Sequence, residues 1–123
     1  MTADLNGSKI LVVEDEYLVA SLIQNVLESA GCIVFGPIPR LAEAMQAADA
    51  ESCDAAVLDV NLGGERVFSV AAVLRRRHIP FVFVTGYGTE ALPPELHKRP
   101  TLHKPFRNEE LLKAVSGLVN PTV

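Results

Sequence analysis

Polar side chains with complementary chemistry follow the short apolar runs of this chain. Carboxylates follow the first and third runs, a hydroxyl ends the fourth and an ammonium follows the fifth: Glu14 and Asp15, Asp59, Thr85 and Lys104. Two carboxylates about 6 Å apart repel by roughly 3 kcal/mol at an effective dielectric constant of 20. A hard divalent cation, Mg²⁺ or Mn²⁺, would relieve that repulsion among oxygen ligands. Such a set could place a phosphoryl group on one carboxylate, with Lys104 neutralising its oxygens and Thr85 donating a hydrogen bond.

These residues can meet only if the apolar runs are neighbouring strands. The runs are short and apolar throughout, as in strands buried on both faces: Ile10–Val13, Ile33–Phe35, Ala55–Leu58 and Phe81–Val84, with a weaker run at Thr101–His103. Apolar residues at helical spacing lie between the runs and after the last one. The alternation predicts an α/β fold with parallel strands and right-handed helical crossovers. The carboxyl ends of parallel strands share one edge of the sheet, where ligands bind.

The fourth crossover departs from the helical pattern. Pro93 and Pro94 interrupt the segment Glu90–Lys98, and a proline inside a helix costs about 3 kcal/mol. We therefore expect a short, irregular or mobile fourth helix. The run Arg75–Arg77 closes the third helical pattern, where cations complement the helix dipole, so we interpret it as a solvated helix end rather than a nucleic-acid patch.

Composition narrows the classes of function. The chain has 123 residues, 49% of them hydrophobic, and a net charge of −4, which favours one globular domain and argues against a nucleic-acid partner. It carries neither a secretory signal pattern nor an apolar run of about 18 residues, the length that a membrane span needs. Cys32 and Cys53 fit buried thiols of a reducing compartment. We therefore expect a cytoplasmic protein.

Four segments at the strand ends resemble the receiver domain of bacterial response regulators: Val13-Glu14-Asp15, Leu58-Asp59-Val60-Asn61, Thr85-Gly86 and Lys104-Pro105-Phe106. Each is weak alone, but four in this order are specific. The resemblance runs from about Lys9 to Val119. It implies a flavodoxin-like, doubly wound, five-stranded parallel sheet with strand order 2-1-3-4-5. It also implies that one receiver domain fills residues 1–123.

The resemblance also implies roles for individual residues. Asp59 would accept a phosphoryl group from a sensor histidine kinase or a phosphotransfer protein. Asp15 and Asp59 would bind Mg²⁺ through their carboxylates, Asn61 through its backbone carbonyl and Glu14 through a water. Thr85 and Lys104 would contact the phosphoryl group, and the Lys104–Pro105 bond would be cis. A single-domain response regulator of this kind would signal to an unknown downstream protein by contact, or act as a phosphate sink.

Some positions depart from the common receiver pattern. Thr101 stands where most receivers carry an aromatic switch residue, and the segment Pro80–Gly88 resembles the FATGUY subgroup of single-domain receivers, which also lacks that switch. Gly86 and Gly88 flank Tyr87, which could shield the acyl phosphate or simply be a surface aromatic. We expect this loop and the Pro93-Pro94 segment to be mobile and to become ordered on phosphorylation.

Two other classes of function use similar residues. Metal-dependent phosphatases and Toprim enzymes also gather acidic residues on an α/β sheet, but both require an Asp-x-Asp pair where this chain has Asp59-Val60-Asn61. A receiver-like module that binds partners without phosphorylation would not need the complete set of acids, threonine and lysine. The leading hypothesis is therefore a phosphoacceptor that assists its own phosphorylation and dephosphorylation and is not a turnover enzyme.

Overall fold

The alternation of strands and helices follows the hydrophobic pattern in the computed structural model, which describes residues 5–86 and 92–121. The strands are β1 (Lys9–Val13), β2 (Ile33–Ile38), β3 (Ala55–Asp59), β4 (Asn61–Leu62), β5 (Glu65–Arg66), β6 (Phe81–Thr85) and β7 (Thr101–His103). The helices are α1 (Tyr17–Ser29), α2 (Leu41–Ala50), α3 (Phe68–Arg76) and α4 (Asn108–Val119). All five predicted apolar runs are strands, so the α/β prediction is confirmed.

The five longer strands form one sheet in the order β2-β1-β3-β6-β7, and every neighbouring pair in it is parallel. Numbering only these five strands along the chain gives 2-1-3-4-5, which confirms the predicted flavodoxin-like topology. Strands β3 and β6 are buried along their whole length. The order places the ends of β1, β3 and β6 side by side, and those ends carry the predicted site.

Two hydrophobic layers cover the two faces of the sheet. Successive side chains of a strand point to opposite faces, so Leu11 and Val13 pack in one layer while Ile10 and Val12 pack in the other. Helices α2 and α3 contribute to the first layer, and α1 and α4 to the second. Burying a Leu, Ile or Val side chain contributes about 1.5–3 kcal/mol, so both layers hold the strand ends in place.

Strand β2 differs from its prediction. It was expected to end at Phe35 and to be buried on both faces, but it runs to Ile38 and is only half-buried. It lies at the edge of the sheet and pairs with β1 alone, with an irregular register between Leu11 and Val13. An edge strand tolerates Pro37, which has no N–H to donate to a neighbour.

A two-stranded hairpin follows β3 and was not predicted. Strands β4 and β5 pair antiparallel, and the two residues between them are Gly63, with φ 57°, and Gly64, with φ 94°. Positive φ at both central positions defines the hairpin turn that favours a Gly-Gly pair. The hairpin brings the backbone of Gly63 next to the acidic residues of the site.

The described part of the fourth crossover is short and irregular, as the prolines predict. In its described part, a single 3₁₀ turn spans Pro94–Leu96, and Leu96 is buried in the first hydrophobic layer. His97 Nε2 lies 2.8 Å from the carbonyl oxygen of Leu92, within hydrogen-bond distance. Tyr87 and Gly88 lie outside the described residues. The mobility expected of this segment therefore stays a prediction.

Two expectations drawn from composition can be compared with the structure. Cys32 is buried and Cys53 half-buried, and both are free thiols; burial raises the pKa of each above its ordinary value. Over residues 5–86 and 92–121, every helix is too short or too polar to cross a bilayer. The cytoplasmic location stays a prediction.

Candidate functional site

The residues predicted to carry chemistry meet at the carboxyl edge of the sheet. Glu14 and Asp15 follow β1, β3 ends on Asp59, β6 ends on Thr85, and Lys104 follows β7. A cavity of about 250 Å³ opens between them. It is lined by Asp15, Glu16, Asp59, Asn61, Gly63, Thr85, Gly86 and Lys104. Four separate stretches of sequence thus contribute to a single pocket.

Three acids form the centre of the site. Glu14, Asp15 and Asp59 each offer a carboxylate oxygen, and these oxygens all lie within 4.8 Å of one another. Glu14 and Asp59 are buried, whereas Asp15 is exposed. The backbone N–H of Gly63 donates to Asp15 Oδ2 at 2.8 Å, and that of Asn61 donates to Asp59 Oδ1 at 3.4 Å. The hairpin therefore orients two of the three acids through its backbone.

Asp59 carries a carboxyl group whose pKa is strongly raised. Burial, a hydrogen bond with Glu14 and the negative charge of Glu14 raise the pKa of Asp59 to about 8, against the opposing effects of Lys104 and the Asn61 N–H. Desolvation disfavours the charged carboxylate, and a neighbouring acid disfavours it further. The protein alone thus lacks enough positive charge to keep Asp59 fully ionised at neutral pH.

Lys104 supplies the positive charge that the described residues bring to this cluster. Its Nζ lies 2.7 Å from Glu16 Oε1, 3.2 Å from Glu14 Oε1 and 3.6 Å from Asp59 Oδ2. Burial opposes the charged form, but a hydrogen bond to Glu16 and the charges of Glu14 and Asp59 outweigh it and raise the pKa of Lys104. The lysine is therefore charged. The Lys104–Pro105 peptide bond, for which the resemblance implied a cis form, is cis.

The donor set fits a hard divalent cation. Among the described residues, Glu14 Oε1 is buried and accepts no hydrogen bond of acceptable geometry, although the Lys104 ammonium lies 3.2 Å away. A buried carboxylate oxygen left in this state is costly. The three clustered acids offer only oxygen atoms, which suit Mg²⁺ or Mn²⁺ and not a soft metal. The cavity beside them leaves room for water ligands.

The other predicted residues take different positions. Thr85 is buried, and its carbonyl oxygen accepts a hydrogen bond from the Lys104 N–H at 2.9 Å. Thr85 also lines the cavity, as does the exposed Gly86. Thr101 lies on β7 outside that lining and donates from Oγ1 to the Arg99 carbonyl at 3.1 Å. The remaining loop candidates, Tyr87 and Gly88, fall in the undescribed stretch.

Sequence reasoning missed two residues of the site. Glu16 is not among the residues that the strand-end pattern predicts for the site, yet its carboxylate is the nearest partner of Lys104. Gly63 is not among the predicted residues either, yet its N–H donates a hydrogen bond to Asp15. The adjacency of Glu16 to Asp15 was the one available signal, because its ion pair depends on a residue 88 positions away.

Comparison with known proteins agrees with this geometry. The sequence model of the response regulator receiver domain matches residues 10–116. The regulatory protein VanR of Enterococcus faecium is 31% identical over 115 residues, covering 90% of this chain and 49% of VanR. The transcriptional regulatory protein GltR of Pseudomonas aeruginosa is 32% identical over 121 residues, covering 93% of this chain and 50% of GltR. The chain spans about half the length of these curated relatives.

Comparison with solved structures also matches this chain to receiver proteins. The solution structure of SdrG from Sphingomonas melonis superimposes with a TM-score of 0.81 at 38% identity, covering 92% of this chain and 97% of SdrG. A second structure, of SdrG in its BeF₃-activated conformation, gives 0.76 and covers 97% and 99%. The receiver domain of the sensor kinase PA1611 from Pseudomonas aeruginosa, solved with magnesium in its active-site cleft, gives 0.77 at 24% identity over 92% of this chain and 98% of that domain. Assignment to the FATGUY subgroup stays a prediction.

Proposed function

We propose, since this chain belongs to the response regulator receiver domain family, that it accepts a phosphoryl group on Asp59 and releases it again by hydrolysis. The observation that carries the proposal is the cluster of three acids, Glu14, Asp15 and Asp59, with the Lys104 ammonium 3.6 Å from Asp59, beside an open cavity at the carboxyl edge of the sheet. The donor would be a phosphohistidine of a sensor histidine kinase or of a phosphotransfer protein.

Phosphoryl transfer from the histidine to Asp59 is a displacement at phosphorus. An ionised Asp59 oxygen attacks phosphorus and forms the new P–O bond, while the P–N bond to the histidine breaks. The electron pair of the broken P–N bond goes to the imidazole nitrogen, and the imidazole takes up a proton from solvent. Because burial and Glu14 raise the pKa of Asp59, the attacking carboxylate needs further positive charge beside it.

The acids Glu14, Asp15 and Asp59 would hold Mg²⁺ or Mn²⁺, with Asn61 contributing its backbone carbonyl as the family resemblance implies. When bound, the cation supplies positive charge that keeps the carboxylates ionised and offsets the negative charge of the phosphoryl oxygens. Charge offset and positioning account for most of the catalysis in phosphoryl transfer. The chain itself contributes mainly by orienting these groups.

Lys104 and Thr85 would bind the phosphoryl oxygens. The Lys104 ammonium lies 3.6 Å from Asp59 Oδ2. It is therefore close enough to donate a hydrogen bond to an oxygen of a phosphoryl group on Asp59. Thr85 lines the same cavity and offers a hydroxyl donor. SdrG, which is 38% identical and has been solved in a BeF₃-activated conformation, supports acceptance of a phosphoryl group by this chain. The PA1611 receiver, solved with magnesium in its cleft, supports the cation.

The signal would pass to another protein by contact, or the chain would act as a phosphate sink. A phosphoacceptor of this kind takes up one phosphoryl group per chain and is not a turnover enzyme. A receiver in this role would operate in the cytoplasm, with no nucleic acid or membrane as its partner.

Incubation with Mg²⁺ and acetyl phosphate tests the proposal. Intact-protein mass spectrometry should show one added phosphoryl group on the wild type and none on Asp59→Asn. Asp54→Asn is the matched control, because Asp54 is an exposed aspartate that accepts a hydrogen bond from the Lys9 N–H outside the site, and it should be labelled like the wild type. Labelling of Asp59→Asn, or a wild type that stays unlabelled, would overturn the proposal.

A further inference from the structure

Lys104 pairs with a carboxylate outside the cluster of Glu14, Asp15 and Asp59. Its shortest contact is with Glu16, at 2.7 Å, while Glu14 and Asp59 lie farther away at 3.2 and 3.6 Å. The Glu16 side chain is 60% exposed, whereas those of Glu14 and Asp59 are buried. Glu16 therefore draws the ammonium toward the solvent side of the site.

The backbone of Glu16 is fixed independently of this ion pair. Glu16 is the N-cap residue of α1; its N–H donates to Glu14 Oε2 at 3.0 Å and its carbonyl accepts from the Ala20 N–H at 2.8 Å. The described residues show no capping hydrogen bond from its side chain to the helix. The carboxylate is thus not required by α1 and reaches instead across the site to Lys104.

We propose that Glu16 is a positioning residue that competes with the phosphoryl group for Lys104. This inference rests on the proposed function and deepens it. A phosphoryl group on Asp59 places new anionic oxygens near the same ammonium, and Lys104 must turn toward them and away from Glu16. A negative carboxylate left beside the new anion also repels it. Glu16 therefore weakens the phosphorylated state relative to the unmodified one.

The size of the effect follows from the exposure of the pair. A solvent-exposed ion pair contributes little, and its loss changes an equilibrium by about two- to fivefold. Removing the Glu16 charge should therefore tighten binding of a phosphoryl mimic by about that factor. The acids that would hold the cation remain in place, so the affinity for Mg²⁺ alone should change less.

The test measures beryllofluoride binding by calorimetry at saturating Mg²⁺ for the wild type, Glu16→Gln and Glu16→Asp, with Mg²⁺ affinity measured separately without fluoride. Glu16→Gln should bind the mimic about two- to fivefold more tightly. Glu16→Asp keeps the charge but loses reach, so it should fall between Glu16→Gln and the wild type. Glu65→Gln is the control, because it removes one exposed carboxylate from the hairpin strand β5 without touching Lys104.

The outcomes separate the two proposals. Unchanged or weaker binding by Glu16→Gln, with normal binding by the wild type, would overturn the role of Glu16 and leave the proposed function standing. An equal gain in Glu65→Gln would also overturn that role, because it would show a general effect of charge. Failure of the wild type to bind beryllofluoride with Mg²⁺ would overturn both proposals.

Discussion

Asp59 is the residue in which burial and chemistry conflict most directly. Burial and the neighbouring Glu14 raise the pKa of Asp59 to about 8. The folded protein would be more stable with a hydrophobic side chain of similar size at position 59. The fold thus retains a carboxyl group that weakens the cation-free protein, as expected where stability is given up for a site.

This conflict predicts how stability depends on pH without a divalent cation. From the ordinary carboxyl pKa of 3.8 up to about 8, the folded protein keeps a proton on Asp59 that the unfolded chain has lost. The free energy of unfolding of the wild type should therefore fall relative to Asp59→Asn by at most about 1.4 kcal/mol per pH unit in this range. Above about pH 8 the difference should be constant.

Urea unfolding in EDTA at several pH values measures that difference. Saturating Mg²⁺ should reduce the difference in the free energy of unfolding between the wild type and Asp59→Asn. The reason is that the cation binds the folded wild type and favours the ionised acids. A difference that does not change between pH 4 and pH 8 would show that Asp59 is not desolvated as the structure indicates.

At the scale of elements, the arginine run at the C-terminal end of α3 contains two kinds of residue. Arg75 and Arg76 are exposed, whereas Arg77 is half-buried. Arg77 Nη1 donates to the carbonyl oxygens of Ala48 at 2.6 Å and Glu51 at 2.8 Å. These carbonyls lie at the end of α2, so one arginine joins the ends of two helices. The sequence interpretation of the whole run as solvated is wrong for Arg77.

The two kinds of arginine predict different costs of substitution. Arg77→Ala should lower the free energy of unfolding by about 1–3 kcal/mol, because it removes two hydrogen bonds from a charged donor and leaves two carbonyls without it. Arg76→Ala, one position earlier and exposed, should change it by less than about 0.5 kcal/mol. Thermal or urea unfolding of both variants measures this, and equal costs would contradict the bridging role.

The strands could be predicted because each is a short apolar run, and the site could be predicted because parallel strands end at one edge. The hairpin of β4 and β5 could not, since each strand has only two residues and its signal is a single Gly-Gly pair. The ion pair of Glu16 could not either, because the direction of an exposed side chain depends on a partner that only the fold brings near.

At the scale of the molecule, one sheet separates two hydrophobic layers. Ile79 belongs to the layer with α2 and α3, and Ile23 of α1 belongs to the opposite layer. The site lies at the edge of the sheet, where both layers meet the strand ends. Its geometry therefore depends on the packing of both faces.

This layering predicts additive effects of core substitutions. Ile23→Val and Ile79→Val should each lower the free energy of unfolding by about 0.5–1.5 kcal/mol. Because the two side chains lie in separate layers, the double variant should show the sum to within about 0.5 kcal/mol. Urea unfolding of the three variants measures this. A marked departure from additivity would mean that the sheet transmits strain from one layer to the other.

The central claim is that the phosphoryl group is carried by Asp59 itself. Reduction of the phosphorylated protein with borohydride converts an aspartyl phosphate to homoserine, and peptide mass spectrometry then locates the modified position. The account predicts homoserine at position 59 after treatment with Mg²⁺ and acetyl phosphate, and an unmodified aspartate at that position when Mg²⁺ is withheld. Homoserine at position 15 or 54, or phosphate found on a histidine with Asp59 unmodified, would contradict it.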